Sequence, residues 1–309
     1  MIKYRNLDQS LQTMVDQGRY AGAIERGANV DPWYVDLNRK QQGGGRSWDD
    51  AFNTYAAAFV AVNAWFAVSN ERAWAKRGTI YCCSDGETES IVTLPRRCDV
   101  IGVGTDTGTF PKITGTHTVA AAPSGNGVRL INLGFIAGGT TAPILTLPSG
   151  LNGVELHHIH LYKAEGSLPT SGLTVNTSRD WTLNDVNIYP DAGAAKCTIG
   201  LNISGTTSGH GRSLINKCLF VGVEAMNVVD TSAYFEGTIC RDSIFIATAL
   251  CVDDNSDAIA FINNYLITEA AGGSTDGSGV VDWNTELICG NQVHASDADA
   301  QIPALDALT

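Results

Sequence analysis

The sequence predicts an all-β protein, a parallel β-solenoid led by one helix. The main observation is an internal repeat. A short motif, Leu-x-x-apolar-x-apolar, returns about every 26 residues through the C-terminal two-thirds of the chain. It starts at Leu130, Leu156, Leu183, Leu214, Ile239, Phe261 and, more loosely, Leu287, with gaps of 26, 27, 31, 25, 22 and 26 residues. A fixed period in the twenties signals a stack of near-identical units. The second observation is a strand signal between successive motifs: ILTL (144–147), GLTVNTS (172–178), GLNISG (200–205), NVVDTS (227–232), ALCVDDNS (249–256) and GVVDWNT (279–285). These runs alternate with period 2, and several end in Ser, Thr, Asn or Asp, the residues that turn a chain. The third is that no amphipathic run of helical length fits between them. Coils stacked along one axis satisfy all three. Seven coils at about 4.8 Å per step occupy roughly 34 Å.

The elements before the repeat follow in order. Residues 1–32 neither repeat nor match the solenoid. They read as a helix-prone stretch, with Leu7, Leu11, Met14 and Val15 on one face, followed by a Gly/Ala-rich run, and are expected to form an N-terminal attachment arm. Residues 33–78 form an entry segment and a helix. Ser47 and the acids Asp49 and Asp50 read as an N-cap and first turn. Phe52, Tyr55, Phe59, Val62 and Phe66 recur at spacings of 3, 4, 3 and 4, one apolar stripe. Lys76 and Arg77 suit a last turn, and Gly78 suits the residue after it. A solenoid leaves unpaired backbone at its ends, so this helix is expected to cap it. Short strands follow at 79–83, 90–95, 99–104 and 111–115. The solenoid is expected over 79–295, with a tail at 296–309.

These segments resemble a known family. WYVDLNRKQQGGGRSW (33–48), GRSWDDAF and GTIYCCSDGETESIVTLPRRCDVIGVG look like the entry to right-handed parallel β-helices of the pectin-lyase-like superfamily, including those on phage particles. The resemblance covers roughly residues 33–295. It implies a single-stranded right-handed parallel β-helix and, by analogy, a homotrimer. The fold hosts lyases, hydrolases, adhesins and structural phage proteins, so it does not by itself select an activity.

Charge narrows the partners. Residues 1–98 carry 12 Lys/Arg and 11 Asp/Glu, whereas 99–309 carry 8 and 21; after Arg241 there are 11 acids and no Lys or Arg. Such a surface repels nucleic acid, which excludes DNA or RNA as a partner of the solenoid. No run of 18 apolar residues is present, so no membrane span is expected. The opening MIKYRNLDQSLQ has no apolar core of a secretory signal, which implies assembly in a cytoplasm. The eight cysteines show neither CxxC pairs nor metal-site spacing and read as small buried apolar residues.

Candidate chemistry is sparse. Gly209-His210-Gly211 and the pair Asp253 and Asp254 resemble pieces of the polygalacturonase pattern in that superfamily. Inverting hydrolysis needs two carboxyls about 6.5–9.5 Å apart, which neighbouring coils can supply. Here the order is reversed, and no basic element follows the acids. Asp253, Asp254 and Asp257 in VDDNSD offer oxygens to a hard cation such as Ca²⁺, without a diagnostic loop motif. His157, His158 and His160 form the densest imidazole cluster. In one continuous strand, His158 and His160 would share a face opposite His157. Lys163, Lys196, Arg212, Lys217 and Arg241 stand singly, which does not build a lyase site. Tyr162, Trp181, Tyr189 and Trp283 are aromatics that stack on sugars when exposed and fill the core when not.

The expected function is therefore non-enzymatic, with no cofactor and no intact catalytic constellation. The chain reads as a structural protein of a tailed-phage virion, a head decoration or tail-associated spike, joined to other virion proteins through its arm. The competing readings are a tailspike depolymerase, hydrolase or lyase, acting on a surface glycan, and a non-cleaving glycan-binding adhesin.

Overall fold

The computed structural model describes residues 32–67, 77–83, 85–104, 110–120, 126–139, 141–164, 166–176, 179–189, 196–204, 212–228, 238–254, 259–268, 281–282 and 288–295. Residues 1–31, within the stretch expected to be an attachment arm, and the expected C-terminal tail 296–309 lie outside the described residues, as do His210, Asp257 and Trp283. The described part is mostly β. Its strands are β1 (Trp33–Asp36), β2 (Gly78–Cys83), β3 (Asp85–Thr88), β4 (Cys98–Gly102), β5 (Lys112–Gly115), β6 (His117–Thr118), β7 (Arg129–Ala137), β8 (Leu145–Leu147), β9 (Glu155–Tyr162), β10 (Ser171–Asn176) and β11 (Thr182–Tyr189). They continue as β12 (Ile199–Ser204), β13 (Leu214–Asn216), β14 (Leu219–Val228), β15 (Thr238–Arg241), β16 (Ile244–Asp254), β17 (Ile259–Ile262), β18 (Tyr265–Thr268), β19 (Val281–Asp282), β20 (Ile288–Cys289) and β21 (Gln292–Ala295).

Pairing between these strands is parallel and falls into three columns. Column A runs β1, β2, β4, β7, β9, β11, β13, β15, β17, β20. Column B runs β3, β5, β7, β9, β11, β14, β16, β18, β21. Column C runs β6, β8, β10, β12, β14, β16, β19. Each coil therefore has three sides, one more than the two clear strand signals per repeat.

The repeat motif bends across two of these sides. One register down column A joins Val100, Leu130, Leu156, Leu183, Ile215, Cys240, Phe261 and Ile288. The motif starts expected at Leu214, Ile239 and Leu287 are corrected by one residue, since Ile215 and Cys240 are the buried positions while Leu214 is half-buried and Ile239 exposed. The motif's last apolar residue belongs to column B, where Ile113, Phe135, Leu161 and Ile188 align. Period-2 alternation cannot turn residues three apart into the same core. A residue in the left-handed region between them resets the phase: Asn132, His158, Asp185, Lys217, Asp242 and Asn263 have φ between 51° and 58°, and Gly290 has 67°. Asn and Asp tolerate this conformation better than most residues. The expectation that each motif is one flat strand is corrected on this point.

The core follows from the alternation, with Leu, Ile, Val and Phe from the three columns forming one buried cluster from Trp33 to Leu266. One side of it is polar. At the position just after the left-handed residue, the first coils carry Leu133, Ile159 and Val186, all buried. The later coils carry Cys218, Ser243, Asn264 and Asn291 there. The Cys218 N–H donates to Ser243 Oγ at 3.1 Å, the Ser243 N–H to Asn264 Oδ1 at 3.0 Å, and the Asn264 N–H to Asn291 Oδ1 at 2.8 Å. Asn264 Nδ2 donates back to the Cys240 carbonyl at 3.0 Å. Each amide and side chain is thereby satisfied in a buried setting, which burial requires.

The entry helix starts later than its sequence pattern, and residues 68–76, where its last turn with Lys76 is expected, lie outside the described residues. Trp48–Asp50 is a single 3-10 turn, and Ser47 makes no side-chain capping bond. The helix α1 runs Tyr55–Ala67. Thr54 Oγ1 accepts the Ala57 N–H at 3.2 Å, while Glu89 receives the N–H groups of Tyr55 and Ala56 at 2.7 and 2.9 Å. The cap thus comes from a carboxylate 34 residues away, which local patterning cannot reveal. Phe52 lies before the helix and bridges Val35, so the free edge of β1 is taken by chain 45–52. Gly78 opens β2. Residues 90–95 form no strand. No helix among the described residues is long and apolar enough to cross a membrane.

Candidate functional site

The richest group of chemistry-bearing side chains stands on the outer surface around the bend between columns A and B, on β5, β9 and β11. Because Leu156, Ile159 and Leu161 point inward, His157, His158 and His160 all face outward: His157 on column A, His158 at the bend, His160 on column B. The expectation that His157 lies opposite the other two is corrected by the left-handed turn at His158.

Each imidazole is held by a different neighbour. His157 Nε2 meets Glu155 Oε2 at 2.9 Å, and its Nδ1 lies 3.5 Å from Asn184 Nδ2 on the next coil. Those partners select the tautomer with the proton on Nε2, since the amide donates to Nδ1. The hydrogen bond from His157 holds the Glu155 carboxyl below the usual carboxylate range, against its burial. His158 Nδ1 pairs with Asp185 across the coils. His160 is half-buried, and among the described residues its Nδ1 has no hydrogen-bond partner. Burial and the nearby His158 pull its pKa below that of a free imidazole.

Aromatic rings complete the patch. Register places Tyr162 beside Tyr189, and their rings stack at 5.3 Å with 12° between planes. Phe110 stacks on His160 at 4.3 Å and His160 on Tyr189 at 5.5 Å. Lys112 Nζ lies 5.4 Å from the Tyr162 ring centre and 5.6 Å from that of Phe110. These are offset-stacked and cation–π geometries. The rings spend their faces on one another and leave their edges outward. Burial, with Tyr189 second, pushes the Tyr162 hydroxyl up to about 12.

A polar ladder runs beside this patch on column A. Asn216 Nδ2 donates to Asn184 Oδ1 at 2.7 Å, and Arg241 Nε to Asn216 Oδ1 at 3.1 Å. Toward the N-terminal end, the buried Asp99 carboxylate receives Arg129 Nε and Nη2, both at 2.6 Å, and Arg77 Nε at 2.7 Å. The composition held these residues, but only the coil register aligns them.

Of the candidates His210, Asp253, Asp254 and Asp257, the described residues include Asp253 and Asp254, consecutive at the end of β16. Asp253 is half-buried on column C, in register with Asn227, whose Nδ2 reaches it at 3.2 Å. Asp254 is the last residue of β16, paired with Val228. Among the described residues no group of three His, Cys, Asp or Glu is arranged to hold a metal ion. Trp181 is fully buried and belongs to the core, unlike Tyr162 and Tyr189. Cys82, Cys98, Cys197, Cys218, Cys240 and Cys251 are buried as expected, whereas Cys289 is exposed. Set against protein-family models, curated proteins and solved structures, the chain matches none.

Proposed function

We propose that this chain is a non-enzymatic structural rod, displayed on the surface of a tailed-phage particle as a head decoration or tail-associated spike. The observation that carries this reading is how the outward polar and aromatic residues are used. His157, Asn184, Asn216 and Arg241 link neighbouring coils, as do His160, Tyr162 and Tyr189, while Phe110 reaches His160 across an intervening coil and Glu155 holds His157 in place. Side chains able to do chemistry thus brace the stack. The likeness of the entry segment to pectin-lyase-like β-helices supports a right-handed coil, with α1 as its cap, and a homotrimer as the assembled unit. In this reading residues 1–32 attach the rod to other virion proteins, and the acidic solenoid faces solvent. Deleting residues 1–32 is expected to abolish attachment while the solenoid stays folded; a truncated protein that still binds particles would sink the idea.

One observation favours a second reading. Tyr162, Tyr189, His158 and Asp185 offer ring edges, an imidazole and a carboxylate on one outward patch. A glycan-binding adhesin, or a depolymerase cleaving a surface polysaccharide, would use such a patch. Incubation with host polysaccharide, followed by assay of reducing ends and unsaturated products, separates cleavage from a structural role. Binding on a glycan array without cleavage would identify the adhesin.

A further inference from the structure

The outward side of column B turns apolar in the later coils. Along β14, β16 and β18 the buried Phe220, Phe245 and Leu266 share one register, and the residues on either side of each point out. Those outward positions hold Leu219 and Val221, Ile244 and Ile246, Tyr265 and Ile267. Val221 is buried, yet it lies outside the core cluster. Ile244 is 41% exposed and Tyr265 39%, and Val223, the next outward residue of β14, is 39% exposed. A parallel sheet is ordinarily covered on both faces, and a face left to water is ordinarily polar. A contiguous apolar patch on a folded protein marks a contact surface.

Charge, period and size all point to one occupant. From the coil of Gly134 to that of Tyr265, six coils each place two outward residues on column B, and none is Asp, Glu, Lys or Arg. Lys217 and Asp242 flank the face only at the bend. The chain carries a net charge of −12 at pH 7, so copies repel wherever their acids meet. Here they approach without that repulsion, whereas a basic partner finds no acid to pair with. Packed sheets interdigitate their side chains, so a face repeating at about 4.8 Å is matched over many coils by another stack of the same period. A second copy has that period by construction. The nine strands of column B span about 38 Å along the axis and about 13 Å across. That is about 500 Å² per copy, or about 1,000 Å² for two, the size at which specific interfaces begin.

We propose that copies of this chain associate by bringing these column B faces together, with Leu219, Ile244 and Tyr265 at the centre of the contact. Such a contact supplies the homotrimer proposed above with its interface, and rests on that reading. The test is the sedimented mass of the full-length chain at micromolar concentration, with folding followed by circular dichroism. The wild type is expected at several copies. Ile244→Asp changes an exposed side chain of the single chain, and should weaken self-association about a hundredfold or more by placing a carboxylate in a desolvated contact. Tyr265→Asp should do the same, and serves alone if Ile244→Asp fails to fold. Ile244→Val should keep the wild-type mass, and so should Thr118→Asp at an exposed position of column C. A wild type of single-copy mass would sink the homotrimer reading together with this contact, and would leave the face to another protein. A wild type of several copies whose mass neither Asp variant lowers would overturn this face alone. So would an equal loss of mass with Thr118→Asp.

Discussion

The ring of Phe110 lies over Gly134 on the next coil and reaches His160 on the coil after that. A Cβ on Gly134 would come 2.9 Å from Phe110 Cε2 and 3.1 Å from Lys112 Cγ, while Phe110 and His160 sit 4.3 Å apart in parallel planes. The glycine is thus a gap through which two rings meet across an intervening strand. Gly134→Val should push the Phe110 ring off His160 and lower stability by about 1–3 kcal/mol, the usual cost of overpacking. Gly134→Ala should cost less, because the ring edge can shift. Denaturant midpoints check this. Phe110→Ala should add little in the Gly134→Val background, since the two changes remove the same contact.

His117 makes stability depend on pH. It is fully buried, accepts the Ile91 N–H on Nδ1 at 3.2 Å, and meets the Ile113 carbonyl through Nε2 at the same distance. Burial lowers its pKa to about 4. The folded protein therefore takes up the proton less readily than the unfolded chain, whose histidines titrate near about 6.5. Stability from this group is complete above about pH 6.5 and is lost as pH falls through about 4. A shift of that size corresponds to about 3 kcal/mol. Unfolding free energies measured at pH 4, 5.5 and 7 should rise in that order, and the slope should shrink in His117→Gln. An unchanged slope in the variant would contradict the assignment.

Thiol chemistry offers a test of the stack as a whole. Burial pushes Cys82, Cys218 and Cys251 up to about 12 and Cys197 up to about 11. A thiol so shielded carries almost no thiolate at neutral pH and is closed to reagent. Alkylation of the native protein should label Cys289 rapidly and the half-buried Cys83 slowly, with all eight labelled only after denaturation. Rapid native labelling of Cys218 or Cys240 would mean that the coils do not close around them.

How much of this was legible in the sequence depends on the range of each interaction. The register of column A could be read in the coils where Leu130, Leu156 and Leu183 repeat at the coil period, but in later coils the apolar neighbours Leu214, Ile239 and Leu287 drew it one residue early. The bend inside the motif could not be read. It depends on a single left-handed residue that is Asn, His, Asp or Lys in different coils, so no residue type marks it. The start of α1 was misplaced for a related reason. Ser47, Asp49 and Asp50 carry a local helix signal, but Glu89 from a distant part of the chain sets where the helix begins. In the candidate site the imidazole cluster was visible as a run of letters. Its pairing with Asp185, and the stacking of Tyr162 on Tyr189, exist only once coils 27 residues apart lie side by side.

The buried amide of Asn264 is the most exacting position in the later coils. It accepts the Ser243 N–H, donates to the Cys240 carbonyl, and its own N–H goes to Asn291. The equivalent residue in earlier coils is Val186 or Ile159, so an apolar side chain fits that place in the fold. It would not fit here, because Ser243 and Cys240 have arranged their backbone groups around the amide. Asn264→Leu is accordingly expected to cost about 2–4 kcal/mol, since it strands one buried donor and one buried acceptor. The reverse change, Val186→Asn, should be destabilising for the opposite reason, an amide brought into an apolar stretch. Hydrogen exchange separates these costs from general loosening. In Asn264→Leu the Ser243 amide should exchange faster, while amides of β7 and β9 keep their protection. Uniform acceleration through both halves would mean that the solenoid unfolds as a single unit and that the ladder has no local role.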